Sequence, residues 1–146
     1  MLVSSRETHR WIIPKGWPMK GRKPHAAAAR EALEEAGLLG RVSKRALGAY
    51  AYDKRLRNGA VLPCKVEVFP LEVERQRKRW PEMEERTTRW FAAEEAASFV
   101  AEPELAAMIR AFADRLRAEH EEPAGAERGI AVAPAFAVRS MPLPAT

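Results

Sequence analysis

The chain has 146 residues, about one domain's worth, and 47% of them are hydrophobic, enough for one buried core, so a wholly disordered chain is excluded. Twenty-five Lys and Arg against 20 Asp and Glu leave a formal charge of +5, which favours anionic partners such as phosphates or nucleic acid. The single cysteine, Cys64, excludes an internal disulfide, and His9, His25 and His120 lie too far apart for a zinc motif. No run nears the ~18 consecutive apolar residues of a membrane span. The first residues also lack the apolar stretch and cleavage site of a secretory signal, so the expected compartment is the cytoplasm.

Leu2 to Ser5 reads as a short strand, and Trp11-Ile12-Ile13 as a second extended piece stopped by Pro14, which disfavours helix in the residue before it. Residues 14–23 are a loop rich in Gly, Pro and Lys. Pro24 suits the first turn of a helix whose Ala-rich run reaches Ala36 and stops at Gly37, the residue best fitted to a left-handed cap. Leu47 to Asp53 and Ala60 to Val73 carry strand formers in partial alternation. They are joined across Asn58-Gly59, which supplies the positive φ angles of a tight hairpin, so two antiparallel strands are expected. Thr87 to Phe91 is a further short strand and Ala93 to Phe99 a short helix. Glu102 to Glu119 is a longer helix with Leu105, Met108, Ile109, Phe112 and Leu116 on one face.

Strands and helices interleave without a βαβ repeat, which points to an α/β fold with a mixed sheet and flanking helices. Residues 1–120 form the expected domain. From Glu121 to Thr146 the composition turns to Ala and Pro without hydrophobic period, the mark of a flexible tail. The tail holds three acids and two bases, so the basic excess belongs to the body.

The informative segment runs from Gly16-Trp17-Pro18-Met19-Lys20-Gly21-Arg22 into Arg30-Glu31-Ala32-Leu33-Glu34-Glu35-Ala36-Gly37-Leu38. Glu31, Glu34 and Glu35 stand at i, i+3 and i+4, so a helix brings three carboxylates onto one face. Their repulsion is relieved by a hard cation, by protonation of one carboxyl, or by solvation alone. The preceding loop adds glycines that let backbone approach a ligand and cations that attract phosphate, and the helix start offers free N–H groups. Carboxylates beside a basic loop are what cation-assisted cleavage of a phosphoanhydride needs.

Residues 16 to 38 resemble the Nudix box, G-x5-E-x7-R-E-U-x-E-E-x-G-U with U aliphatic. Gly16, Arg30, Glu31, Glu34, Glu35, Gly37 and Leu38 fall on it in register. Arg22 departs from it, standing where the pattern has its first Glu, and Ala32 is a small occupant of an aliphatic position. Ser4-Ser5-Arg6 with Arg10-Trp11-Ile12-Ile13-Pro14-Lys15-Gly16, and later Arg89-Trp90-Phe91, are similar to the diphosphoinositol polyphosphate and diadenosine polyphosphate hydrolase branch of that family. The likeness covers about residues 2 to 118.

The resemblance implies an α/β/α sandwich with a mixed sheet. Nudix sheets usually begin one strand upstream of Leu2, so an unpaired sheet edge is expected, and with it a homodimer. It further implies that Glu31, Glu35 and the main-chain carbonyl of Lys15 bind Mg²⁺ or Mn²⁺, that Glu34 is the general base, and that Arg30 orients a glutamate. Spacing by itself does not separate Glu31 from Glu34 as base. Ser5, Arg6, Arg10, Lys15, Gly16, Lys20 and Arg22 are the candidate polyphosphate contacts, Lys23 stands beside them, and the arginines offer forked hydrogen bonds. Among Glu82, Glu84 and Glu85, Glu85 is the candidate for a further metal ligand from a loop.

Arg75, Arg77, Lys78 and Arg79 read as a solvated run. Trp11, Trp17 and Trp90 read as packing residues, and Cys64 as a small core residue. The expected function is metal-dependent hydrolysis of a diphosphate linkage in a small polyphosphorylated molecule, with no membrane partner and nucleic acid disfavoured. The alternative is a catalytically silent Nudix module that binds nucleotide or RNA, motivated by Arg22 and the basic run.

Overall fold

Alternation along a strand sends successive side chains to opposite faces of a sheet, and this chain uses both faces. The computed structural model describes residues 1–121 and, in its backbone, residues 134–142. Strands β1 (Leu2–Ser4), β2 (Trp11–Ile12) and β7 (Thr88–Arg89) form a small antiparallel sheet in the order β2-β1-β7. A second sheet is built on β6 (Val61–Gln76). One edge of β6 pairs antiparallel with β5 (Gly48–Arg55) and then with β4 (Leu38–Val42). Its other edge pairs antiparallel with β8 (Pro134–Pro142), which in turn pairs parallel with β3 (Lys15–Gly16).

Helix α1 (Pro24–Ala36) covers one side, and α2 (Ala93–Phe99) with α3 (Pro103–His120) covers the other. The two faces hold separate apolar clusters. Leu2, Ile13, Val66 and Val68 meet Leu105, Ile109 and Phe112 of α3, while Val3, Ile12, Phe69 and Leu71 meet Ala28, Ala32 and Ala36 of α1. The parity is strict, as a pleated sheet requires: Leu2 and Val3 face opposite ways, as do Val68 and Phe69. This is the expected α/β/α sandwich.

Helix α1 ends as its sequence indicates. Pro24 occupies its first turn, Gly37 adopts φ 68°, and the Gly37 N–H donates to the Leu33 carbonyl at 2.9 Å. The ring of Trp80 lies where a Gly37 side chain would stand, so both conformation and space demand glycine. Ala32 is fully buried against the sheet, so its small size lets the helix lie close. On α3, Leu105, Ala106, Ile109, Phe112 and Ala113 are buried at helical spacing, with Met108 and Leu116 at the margin. Gly59 at φ 83° closes the β5–β6 hairpin, and Asn58 Oδ1 accepts from the Ala60 N–H at 2.9 Å. Cys64 is buried in β6.

Three strands differ from the sequence reading. β3 lies inside the expected loop and β4 follows α1 directly; both are short, Gly-containing, and carry no alternation. The third is β8, within the expected tail of residues 121–146. Only Phe136 and Val138 there are strong strand formers, set among Ala and bounded by Pro134 and Pro142. Its place comes from the backbone edges of β3 and β6 rather than from its own propensity. The remainder of the expected tail, residues 122–133 and 143–146, lies outside the described residues. Among the described strands β1, which begins at Leu2, has a neighbour on each side, β2 and β7.

Candidate active site

The N-terminal half of the chain and the β5–β6 hairpin enclose a cavity of about 920 Å³. Glu31 and Glu35, one helical turn apart on α1, form part of its wall with Lys15 and Gly16 of β3. Gly16 abuts the Glu31 carboxylate so closely that a Cβ would overlap it. Gly16→Ala should therefore displace Glu31 and lower turnover about 100-fold, the scale of an ångström's misplacement, with an unchanged circular dichroism spectrum as the check on folding.

Glu35 is the most constrained of the three carboxylates. Its Oε2 accepts from the Lys15 N–H at 3.2 Å, and its Oε1 accepts from Arg86 Nη2 at 3.2 Å. The side chains of Arg86 and Glu35 are only 7% and 5% exposed, so this ion pair is buried. Arg86 also donates to the Ser4 carbonyl at 3.1 Å and to Glu82 Oε1 from Nε and Nη2. Burial pushes the Glu35 carboxyl up to about 8, more than Arg86 pulls it down. Burial, followed by the neighbouring Glu34, also raises Glu31. Burial lowers Lys15, whose ammonium lies over the Tyr52 ring.

The segment following β6 clamps the end of α1. The Arg77 N–H donates to the Gly37 carbonyl, the Glu82 N–H to the Glu34 carbonyl, and Trp80 Nε1 to the Glu35 carbonyl. Arg86 and Trp80 escape sequence reasoning because their partners lie some 45 to 51 residues away. An arginine shortly before the Thr88–Arg89 strand is the only local signal.

Other expected contacts divide into those the structure gathers and those it does not. Ser5, Arg6 and Arg10 line the cavity. Arg6 also pairs with Glu85 at 3.1 Å, and Arg10 with Glu102 at 3.2 Å. Lys20 and Arg22 are exposed and stand apart from the wall, as does Lys23. Glu34 accepts from Arg30 Nε at 2.7 Å and is not part of the wall either. Glu85, 51% exposed on its pair with Arg6, is not part of the wall, whereas Glu82, 20% exposed, lines it. The loop carboxylate in the wall is thus Glu82, which pairs with the buried Arg86, while Arg6 pairs with both Glu82 and Glu85.

The sequence marks the hairpin but not that its cations belong to the site. Lys54 and Arg55 at the end of β5 and Arg57 in the turn that follows line the cavity, and Lys54 lies over the ring of Trp17, which lines it too. Trp11 packs edge-on against Phe91 as expected, whereas Trp17 and Trp90, expected to pack, are exposed. Arg75, Arg77, Lys78 and Arg79 are exposed.

Magnesium is usually held by one or two carboxylates together with water and substrate phosphate, not by an all-protein cage. Among the described residues no three acidic, imidazole or thiol groups converge as such a cage. Glu31, Glu35 and the Lys15 carbonyl are hard oxygen donors at the base of a cation-rich cavity, and they fit that chemistry.

A model of the NUDIX domain matches residues 1–112. The chain belongs to the Nudix family. Nudix hydrolase 16, mitochondrial, of Arabidopsis thaliana is 33% identical over 106 residues, 70% of this chain and 58% of the relative. Nudix hydrolase 13, mitochondrial, of the same plant is 30% identical over 139 residues, 90% of this chain and 66% of the relative. Diphosphoinositol polyphosphate phosphohydrolase 3-alpha of Mus musculus is 32% identical over 98 residues, 66% of this chain and 56% of the relative. The chain thus spans roughly three fifths of the length of these curated relatives. The expected cytoplasmic location is overturned by the relatives whose names place them in mitochondria. No helix among the described residues is long and apolar enough to cross a membrane.

Proposed function

We propose that this Nudix chain hydrolyses a phosphoanhydride bond in a densely charged small polyphosphate, a diphosphoinositol polyphosphate or a dinucleoside polyphosphate. One observation carries the reading: Glu31 and Glu35 of α1 stand against a cavity that also gathers Arg6, Arg10, Lys15, Lys54, Arg55 and Arg57. Acid at the base and cations around the wall suit a substrate that brings several phosphates and shares a divalent cation.

In this reading Glu31, Glu35 and the Lys15 carbonyl hold Mg²⁺ or Mn²⁺, with Glu82, rather than Glu85, the loop carboxylate available to join them. The bound cation neutralises phosphate charge and lowers the pKa of water. Arg86 keeps Glu35 turned toward β3, and the Lys15 N–H fixes the second oxygen of the same carboxylate. A glutamate of α1 takes the proton from the attacking water, either Glu34, whose carboxylate Arg30 orients, or Glu31, which lines the cavity. The arginines of β1–β2 and of the hairpin bind phosphate oxygens, and Trp17 offers a flat face in the wall.

The hairpin gives the test of substrate class. Charged hydrogen bonds contribute about 1.5–3 kcal/mol, so Lys54→Glu and Arg57→Glu should each raise KM for a diphosphoinositol polyphosphate about tenfold or more. kcat should change little, and the wild-type preference over ADP-ribose should shrink as salt rises. ADP-ribose as the best substrate of the panel, or a ranking indifferent to salt and to both substitutions, rejects the substrate class. Nucleotide or RNA binding without hydrolysis would instead favour the silent module.

A further inference from the structure

β8 lies where the two halves of the candidate site meet. On one edge it carries β3, with Lys15 opposite Val138 and Gly16 opposite Arg139. On its other edge it pairs with β6 over nine positions, from Cys64 opposite Pro142 to Glu72 opposite Pro134. α1, which supplies the glutamates, lies across it. Among the described strands β3 has no other neighbour in its sheet. The peptide that fixes Glu35 through the Lys15 N–H, and that abuts Glu31 at Gly16, is therefore laddered only to β8.

Such an arrangement is strand addition within one chain. Backbone pairing in a slot between two strands supplies the affinity and asks little of the sequence, which suits a segment whose only strong strand formers are Phe136 and Val138 and whose two prolines stand at its ends. We propose that residues 134–142 are an added strand on which the site depends: seated between β3 and β6, the strand positions Lys15 and Gly16 against the glutamates, and when it leaves, the site loses its geometry while the α2–α3 side stays folded. The occupant is the chain's own segment. Twelve residues, 122–133, separate it from the described body, and so short a tether gives an effective concentration on the order of millimolar, well above that of a second copy at micromolar protein.

The inference rests on the hydrolase reading for its consequence, but its first test does not involve turnover. In hydrogen exchange on the full chain, the amides of Lys15 and Gly16 should open together with those of 135–141, earlier than the buried turns of α3. Protection at Lys15 and Gly16 that survives the opening of 135–141 overturns the proposal. In the full chain, Ala137→Pro and Val138→Pro each delete a donor from the ladder. Both should weaken Mn²⁺ binding about tenfold or more, the scale seen when supports of a metal site are lost, with the helical dichroism retained and Val138→Ala near wild type. Unchanged Mn²⁺ affinity in both proline variants overturns it, and if either variant fails to fold, the exchange pattern of the wild-type chain decides. Affinity per chain that falls on dilution assigns the strand to a second copy and overturns the own-chain assignment. An intact chain that shows the coupled exchange yet hydrolyses nothing counts against the hydrolase reading and leaves the strand's role in place.

Discussion

Replacing Glu35 with glutamine should lower kcat at least ~100-fold at saturating Mg²⁺, with folding retained, because the change removes a charge at the proposed cation site while keeping the shape and hydrogen-bonding capacity. Glu31→Gln should match it. Glu34→Gln separates the two candidate bases: a comparable loss confirms Glu34 as the acceptor, while a loss of only a few-fold transfers that role to Glu31, which already stands in the cavity wall. Glu35 should also govern the stability of the metal-free protein. Its carboxyl titrates near 8 when folded against a usual 4.5, so the folded state binds more protons than the unfolded one between those values. Stability in EDTA should then fall as pH rises through that window, and Glu35→Gln should flatten the slope. Chemical denaturation at several pH values reads this directly. A slope of the opposite sign in the wild type contradicts the assignment.

Above pH 8, where Glu35 is charged in the metal-free protein, Arg86→Met should destabilise the fold by about 3–5 kcal/mol, the usual cost of leaving the partner of a buried ion pair uncompensated, and by less at lower pH, where the carboxyl is neutral. The guanidinium ties Glu35, Glu82 and the Ser4 carbonyl together, so its loss affects α1, the loop after β6 and β1 at once. Arg86→Lys should recover only part of the loss, since a single ammonium cannot serve three acceptors in a fixed fork. A change below about 1 kcal/mol, the range of an exposed pair, would show that the bridge is not buried in solution.

The parts of this fold that were legible in the sequence are those whose signal is local. Pro24 and Gly37 delimit α1, Asn58-Gly59 marks the hairpin, and Leu105, Ile109 and Phe112 set the buried face of α3. The three glutamates followed from helical spacing and from the Nudix pattern. What stayed hidden depends on distant partners. β3 is two residues long and exists because β8 is beside it, and β8 has a composition that resembles a tail. Glu82 and Glu85 are alike in sequence, and what distinguishes them is that Glu82 alone pairs with the buried Arg86, while both pair with Arg6. The hairpin cations Lys54, Arg55 and Arg57 carry no motif in the sequence, and only the fold brings them to the cavity. Arg22, prominent because it breaks the pattern, lies away from the wall.

The central claim is that the α1 glutamates support hydrolysis of a phosphoanhydride with a divalent cation. Phosphorus NMR of the purified chain with a diphosphoinositol polyphosphate in ¹⁸O-labelled water, with and without Mg²⁺, tests it most directly. The account predicts Mg²⁺-dependent cleavage with ¹⁸O in a product phosphate, lost in Glu35→Gln. Cleavage undiminished in EDTA or in that variant, or no cleavage of any polyphosphate by a folded chain supplied with Mg²⁺ or Mn²⁺, would contradict it.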